Sequence, residues 1–494
     1  MSRLTVEKIV VEIDAIHREL ARRSLDRRLG TPSAVTTSDV LESHPIPLRP
    51  KTTELLKKTL KGSSGDEAER VERTLFGCID LAVEEKTAYL ADMINFFMER
   101  GRMHVGEEKI PALAVVPWLQ AQPDFDKREE MRKECTIFFK GIVNPMLLGM
   151  LELTVRTVTE RFGFKNYASF CEAKKQVSFE KQARIFHDYL DETQGIYESL
   201  MGPWVEVTIG RPFRNLSRYH ALYLLRIKQF DNNFPLSRLG DIAVRTFQGL
   251  DFDLSSRPDV ITNISDDPVK NPDGVCLGVE IPGEVYVLMK PVGGLIDIET
   301  LLHETGHAFF LSHFDPGLPV EFRRLYRSPA LDETFAFLFM ELIENRSWAT
   351  GIAGMSTQDA QLLEKVSRIR RLCLIRRYIG KFLAEKELHE EAGIKNSEPY
   401  CRHLSRATGF EYEPQGYLVD MEPDFYAIDY LHAWSGAYVL RQFLETRFGM
   451  EWFREPLAGA LLKKLASSGR RHSLDQALEQ FCGEGPRLPD FSKG

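Results

Sequence analysis

Residues 298–314, IETLLHETGHAFFLSHF, place three histidines and two glutamates in a run whose Ile298, Leu301, Leu302, Phe309, Phe310 and Leu311 demand burial. Polar groups on so apolar a segment cost free energy unless each finds a partner. Any fold this chain adopts must therefore bury the segment and still give its imidazoles something to bind. On an α-helix, residues four apart lie about 40° apart around the axis, so His303 and His307 project from one face a turn apart. Two imidazoles so placed can reach one ion, and Glu304 points to the side of the same face. This is the HExxH arrangement, in which the histidines ligate zinc and the glutamate is general base in peptide hydrolysis. The alternative reading is a pair of histidines satisfied in an ordinary core.

The flanks favour the metal reading. Asp297 reads as the N-cap of the helix, with Glu299 in its first turn. Gly306 is small enough to admit a close neighbour. Upstream, VCLGVEI and EVYVLMK, separated by Pro282-Gly283, read as a hairpin whose second strand is suited to pair with an extended peptide.

Catalytic zinc takes three protein ligands. His313 stands ten residues after His303, the metzincin offset, but the helix-breaking glycine of that motif is replaced by Phe310. On an unbroken helix His313 lies about 280° around from His303, so it is set aside. SPALDETFAFLFMELIEN starts with Ser328-Pro329 and runs strongly apolar, yet carries Asp332 and Glu333 in its first turns. Such a pair is expensive to bury unless it meets a cation. Glu333 is read as the third ligand, Asp332 as its neighbour, and Glu341 and Glu344 as exposed.

Around this motif, apolar residues recur at helical spacing over 2–26, 51–100, 126–161 and 176–202, whereas 251–297 is turn-rich and 298 onward is helical again. The fold class is therefore mainly α, with one small β-sheet next to the HExxH helix (298–312), and 494 residues suffice for several domains or one large multi-lobed enzyme. A net charge of −8 argues against nucleic acid and anionic membrane surfaces as partners. Seven scattered cysteines with no CxxC read as reduced thiols. The amphipathic N-terminus lacks a signal-peptide core, and no uninterrupted run of about 18 apolar residues occurs, so a cytoplasmic protein with no membrane partner is expected.

At this point the residues resemble a known family. IDIETLLHETGHAFF, the hairpin before it, and Glu333 some thirty residues on are similar to the thimet oligopeptidase and oligoendopeptidase F zinc peptidases. EPDFYAIDYLHAWSGAYVLRQF resembles that family's aromatic helix, LLKKLASSGRRHSLDQALEQFCG its closing helices, and ERFGFKNYASF a segment of its N-terminal lobe. The resemblance covers roughly 270–485. It implies a two-lobed helical ellipsoid split by a deep central channel, with zinc at the floor and only short oligopeptides admitted as substrates. We divide the chain accordingly into an N-terminal helical lobe, 1–200, and a catalytic lobe, 201–494, that contains the aromatic helix (423–447).

The chain departs from the family in that aromatic helix. Asp424 occupies the place of a histidine, and His432 stands where a transition-state tyrosine is expected, while Tyr426 and Tyr430 match aromatic positions. Tyr426 and Tyr430 share one face, and Asp429 and His432 share another on which the carboxylate could orient the imidazole. His432 is taken as the oxyanion partner, with Tyr430 next and Tyr426 after it; the alternative is that both tyrosines are core residues. SRIRRLCLIRR, 367–377, reads as a solvated, salt-bridged face, or else as a source of guanidiniums for a substrate carboxylate. The second option suits a zinc carboxypeptidase like the thermostable Taq enzyme. The altered aromatic helix also admits a catalytically inactive peptide-binding homologue.

Overall fold

The computed structural model describes residues 4–31, 35–267 and 274–491. Part of the connector GTPSAVTTSD and the turn-rich PVKNPD, 268–273, lie outside the described residues. The fold is mainly α. The first helix, α1 (Val6–Arg28), buries Ile9, Val10, Ile13 and Ile16, one stripe at helical spacing. Among the helices that follow are the long α2 (Gly65–Arg100), α3 (Tyr167–Lys175) and α4 (Phe179–Ile209). The division at residue 200 falls inside α4, and a single apolar cluster takes in residues from Ile9 to Phe491. The helical tract Phe125–Arg161 is apolar enough over one window to meet a length-and-composition criterion for crossing a bilayer, a criterion that core helices of water-soluble folds meet as well.

Among the described residues, two small sheets interrupt the helices. One is a hairpin of β1 (Arg102–Val105) and β2 (Glu108–Pro111), with no counterpart in the sequence reading. The other has three strands, β3 (Val260–Ile264), β4 (Gly274–Glu280) and β5 (Glu284–Met289), in the order β3-β5-β4. The hairpin of β4 and β5 is as expected, but β3 adds to it in parallel. The second hairpin strand is therefore central, with both sides paired, and the sheet's edges are β3 and β4. β4 and β5 lie against the next helix, α5 (Leu295–Ser312), while Leu25 of α1 packs on Val279 and Leu288 from the other side.

After α5 follow α6 (Ala330–Met340), α7 (Thr357–Glu387) and α8 (Tyr426–Phe448), and α6 packs on both α5 and α8. Two expectations fail here for one reason. Glu341 and Glu344 are 4% and 9% exposed, because Arg371 of α7 reaches both carboxylates and Arg441 of α8 adds a second cation. Four of the run's five arginines are likewise turned inward: besides Arg371, Arg370 binds Glu299, Arg376 binds the carbonyls of Leu190 and Ala407, and Arg377 binds Asp420. These guanidiniums are committed to internal anions and carbonyls, so they form neither a solvated face nor a carboxylate clamp.

Candidate metal centre

The start of α5 is set by a contact that sequence reasoning missed. Its N-cap is Gly294, at φ +85°, and not Asp297. A Cβ at Gly294 would fall 2.1 Å from Asp231 Oδ1, which instead accepts from Leu295 N at 3.1 Å. Asp297 sits inside the first turn and accepts from the backbone N–H groups of Val292 and Gly293 at 2.9 and 2.7 Å. The cap acceptor thus comes from 64 residues upstream, a distance local signals do not span.

Gly306 then fixes how closely α6 approaches. A Cβ there would meet Ala336 Cα and Phe335 O, each at 2.8 Å. Both atoms are backbone, so the neighbour cannot swing aside. Gly306→Ala is expected to cost roughly 1–3 kcal/mol of stability by overpacking, read as a lower midpoint in denaturant unfolding. A midpoint equal to that of the unaltered chain would show that the helix pair tolerates separation.

With the helices this close, the three expected ligands converge. His303 Nε2 and His307 Nε2 each lie 3.5 Å from Glu333 Oε2, and donor atoms of all three residues fall within 4.8 Å of one another. Tyr426 Oη donates to the other carboxylate oxygen, Oε1, at 2.6 Å. That leaves Oε2 buried with no hydrogen bond among the described residues, and His303 Nδ1 is likewise without one. Ligands at about 2.1 Å from a tetrahedral ion stand about 3.4 Å apart, so the two 3.5 Å separations are those of a ligand shell. Burial works to raise the Glu333 carboxyl, but the two imidazoles outweigh it and hold it down to about 2. Burial likewise opposes protonation of His307, yet Glu333 raises that imidazole to about 9, while burial keeps His303 below its ordinary value. One positive charge at the centre of the trio is what the carboxylate demands, and these three residues could hold a metal ion there.

Glu304 stands beside this trio at the near end of β4. A Cβ on Gly274 would lie 3.3 Å from Glu304 Cγ and 2.3 Å from Thr300 Cγ2, so the strand runs directly past the carboxylate side chain. Asp332 turns the other way, where Arg470 grips it from Nε at 3.0 Å and from Nη2 at 2.5 Å.

On α8 the structure separates the two candidate faces. Tyr426 reaches Glu333, and Tyr430 packs edge-on against Tyr426 at 4.9 Å and, with tilted rings, against Phe337, one turn past Glu333, at 5.3 Å. Burial and the nearby Glu333 raise both phenols above their ordinary range, so at neutral pH both carry a proton to donate. His432 lies about 200° around the helix from Tyr430 and lines a cavity of about 390 Å³, with Lys175, Arg327 and Asp475. Burial lowers it to about 4, so it is also neutral there. Asp429 does not orient it, because its carboxylate accepts from Lys175 Nζ and from Ser328 Oγ, both at 2.5 Å. Asp424, in the place of the family's histidine, adopts φ +64° and accepts from Lys174 Nζ at 2.9 Å. His313 points away, with Nδ1 on the Phe309 carbonyl at 2.7 Å.

Comparison with known proteins adds a fold and no family. No protein-family model matches this chain, and no curated protein matches it. A solved structure, "BsuCP Crystal Structure", is similar with a TM-score of 0.60 at 13% identity, covering 97% of this chain and 95% of that one. At that identity, what the two chains share is the course of the backbone over nearly their whole lengths.

Proposed function

We propose that this protein is a zinc-dependent peptidase that hydrolyses short peptides. The observation that carries the reading is the buried, hydrogen-bond-free Glu333 Oε2 held equally far from two imidazoles, with a second glutamate one residue from the first histidine. Two nitrogens and one carboxylate oxygen suit zinc with one position left over. Zinc bound there would supply Lewis acidity, which makes water acidic enough to attack at neutral pH and polarises a carbonyl. Glu304 takes the proton released on attack and passes it to the departing amine. Tyr426 fixes the Glu333 carboxylate so that its free oxygen faces the histidines. Tyr430, on the same face and without a partner of that kind among the described residues, donates to the oxyanion that develops at the carbonyl.

This division of labour has a direct check. Tyr430→Phe is expected to lower kcat by about 10²–10³ with zinc content unchanged, the usual loss for one oxyanion donor. His432→Gln should leave kcat within about twofold, and a drop as large as that of Tyr430→Phe would restore the histidine to the reaction. Zinc analysis of the purified chain, followed by digestion of a mixed peptide library, tests the function itself; metal-replete protein that cuts nothing would end it.

A second mode concerns where the peptide is cut. The alternative is a carboxypeptidase mode, with release of residues from the peptide's C-terminus in place of internal cleavage, and the whole-length likeness to BsuCP is compatible with it. Arg370, Arg371, Arg376 and Arg377 are engaged internally, so the substrate carboxylate would be held by another group. Comparing an N-acetylated with a C-amidated peptide separates the modes.

A further inference from the structure

β4 is an outer strand of its sheet, the one that runs past Glu304, and its free edge is not uniform. Near its C-terminal end the pairing with β5 shifts between Gly278 and Glu280. There the carbonyls of Gly278 and Val279 both accept from Arg324, at 2.9 Å from Nη1 and 2.6 Å from Nη2. The carbonyl of Ile281 accepts from Arg323 Nη1 at 2.8 Å. Arg324 is fixed from behind: its Nε donates to Asp14 Oδ1 at 3.1 Å, and Asp14 Oδ2 accepts from Arg18 Nη2 at 2.7 Å. Arg324 and Asp14 are both only 7% exposed, so the clip is a buried ion pair that holds its geometry.

The first half of the strand is different. Val275, Cys276 and Leu277 are all half-buried, and no backbone group of a described residue outside the sheet pairs with them. This stretch begins where Gly274 passes Glu304. An unpaired edge binds an extended chain through ladder hydrogen bonds. A ladder stops where the carbonyls are already given to a guanidinium and a bulge turns the strand away. At about 3.4 Å per residue, the four steps from Gly274 to Gly278 span roughly 14 Å.

We propose that Arg324, held by Asp14, ends the peptide-binding edge of β4. A peptide laid beside Glu304 then pairs with backbone only over Val275 to Leu277, and on that side it gains nothing from residues more than about four from the cut bond. Arg324 is thus a specificity-determining residue that denies longer peptides any advantage on that side by withdrawing hydrogen-bond partners. The inference rests on the peptidase reading above.

The test uses zinc-loaded, full-length protein and two sets of peptides. One set is lengthened a residue at a time on each side of the cut bond; the other carries a single N-methyl group at each amide in turn. On one side kcat/KM should rise over about four residues and then stay flat within about twofold. N-methylation on that side should lower it roughly tenfold at no more than two positions, because alternate residues face the partner strand, and should be silent beyond. Arg324→Met and, separately, Asp14→Asn should let kcat/KM climb again with length, by at least about threefold over the next two residues. The N-methyl scan needs no variant, so it decides the matter even if both fail to fold. A rate that keeps climbing on both sides, sensitivity beyond the fourth amide, or folded variants that keep the plateau would overturn the inference alone. Failure to cut any peptide would overturn it together with the peptidase reading.

Discussion

Glu304→Gln is expected to leave zinc content near that of the unaltered protein while turnover of a short peptide falls by about two to four orders of magnitude. The two halves of this result have separate causes. Metal retention follows because Glu304 is not one of the three converging donors, and an amide of equal size leaves the passage beside Gly274 undisturbed. Loss of turnover follows because an amide cannot accept the proton that attack releases. Elemental analysis and a peptide assay on one preparation decide it. A variant that turns over as fast as the original would refute the general-base role, whereas one that loses both metal and turnover would place Glu304 in the ligand set.

Glu333→Gln should do the reverse, emptying the centre before any chemistry can be measured. Glu333 Oε2 is the atom both imidazoles face, and it is the only anion of the trio. Substitution removes that anion and the hydrogen-bond geometry set by Tyr426 together. Zinc affinity, measured by competition with a chromogenic chelator, should therefore fall well beyond the roughly 10–100-fold that follows from losing an outer hydrogen bond. Tyr426→Phe supplies that comparison in the same protein, since it removes only the bond to Oε1. Glu333→Gln binding zinc as tightly as Tyr426→Phe would mean that the third ligand lies elsewhere.

What the sequence revealed of this centre was what local geometry and charge could carry. His303 and His307 lie on one helix, so their spacing alone puts them on one face. Glu333 stood out because a carboxylate at the head of an apolar helix needs a cation. The readings that failed depended on distant partners. Glu341 and Glu344 resembled surface charges, because the arginines that bury them arrive from α7 and α8. Asp297 resembled a cap because nothing near it announces Asp231. β3 was hidden in a turn-rich tract, since its pairing with β5 joins residues about 25 apart in a parallel arrangement. The helical period divided α8 into a tyrosine face and a histidine face, but only its packing on α6 shows which of them meets Glu333.

The frame of the centre draws on both ends of the polypeptide. α1 backs the sheet on the side away from α5, and Arg470 neutralises the residue next to Glu333. While a ribosome is still short of Arg470, the nascent chain holds Asp332 without its counter-ion, at the head of a helix that cannot yet be buried cheaply. The first helix must meanwhile wait for a sheet encoded some 250 codons later, the kind of non-local closure that comes late in folding. It follows that the histidine pair is made well before Arg470, the counter-ion of the residue next to Glu333.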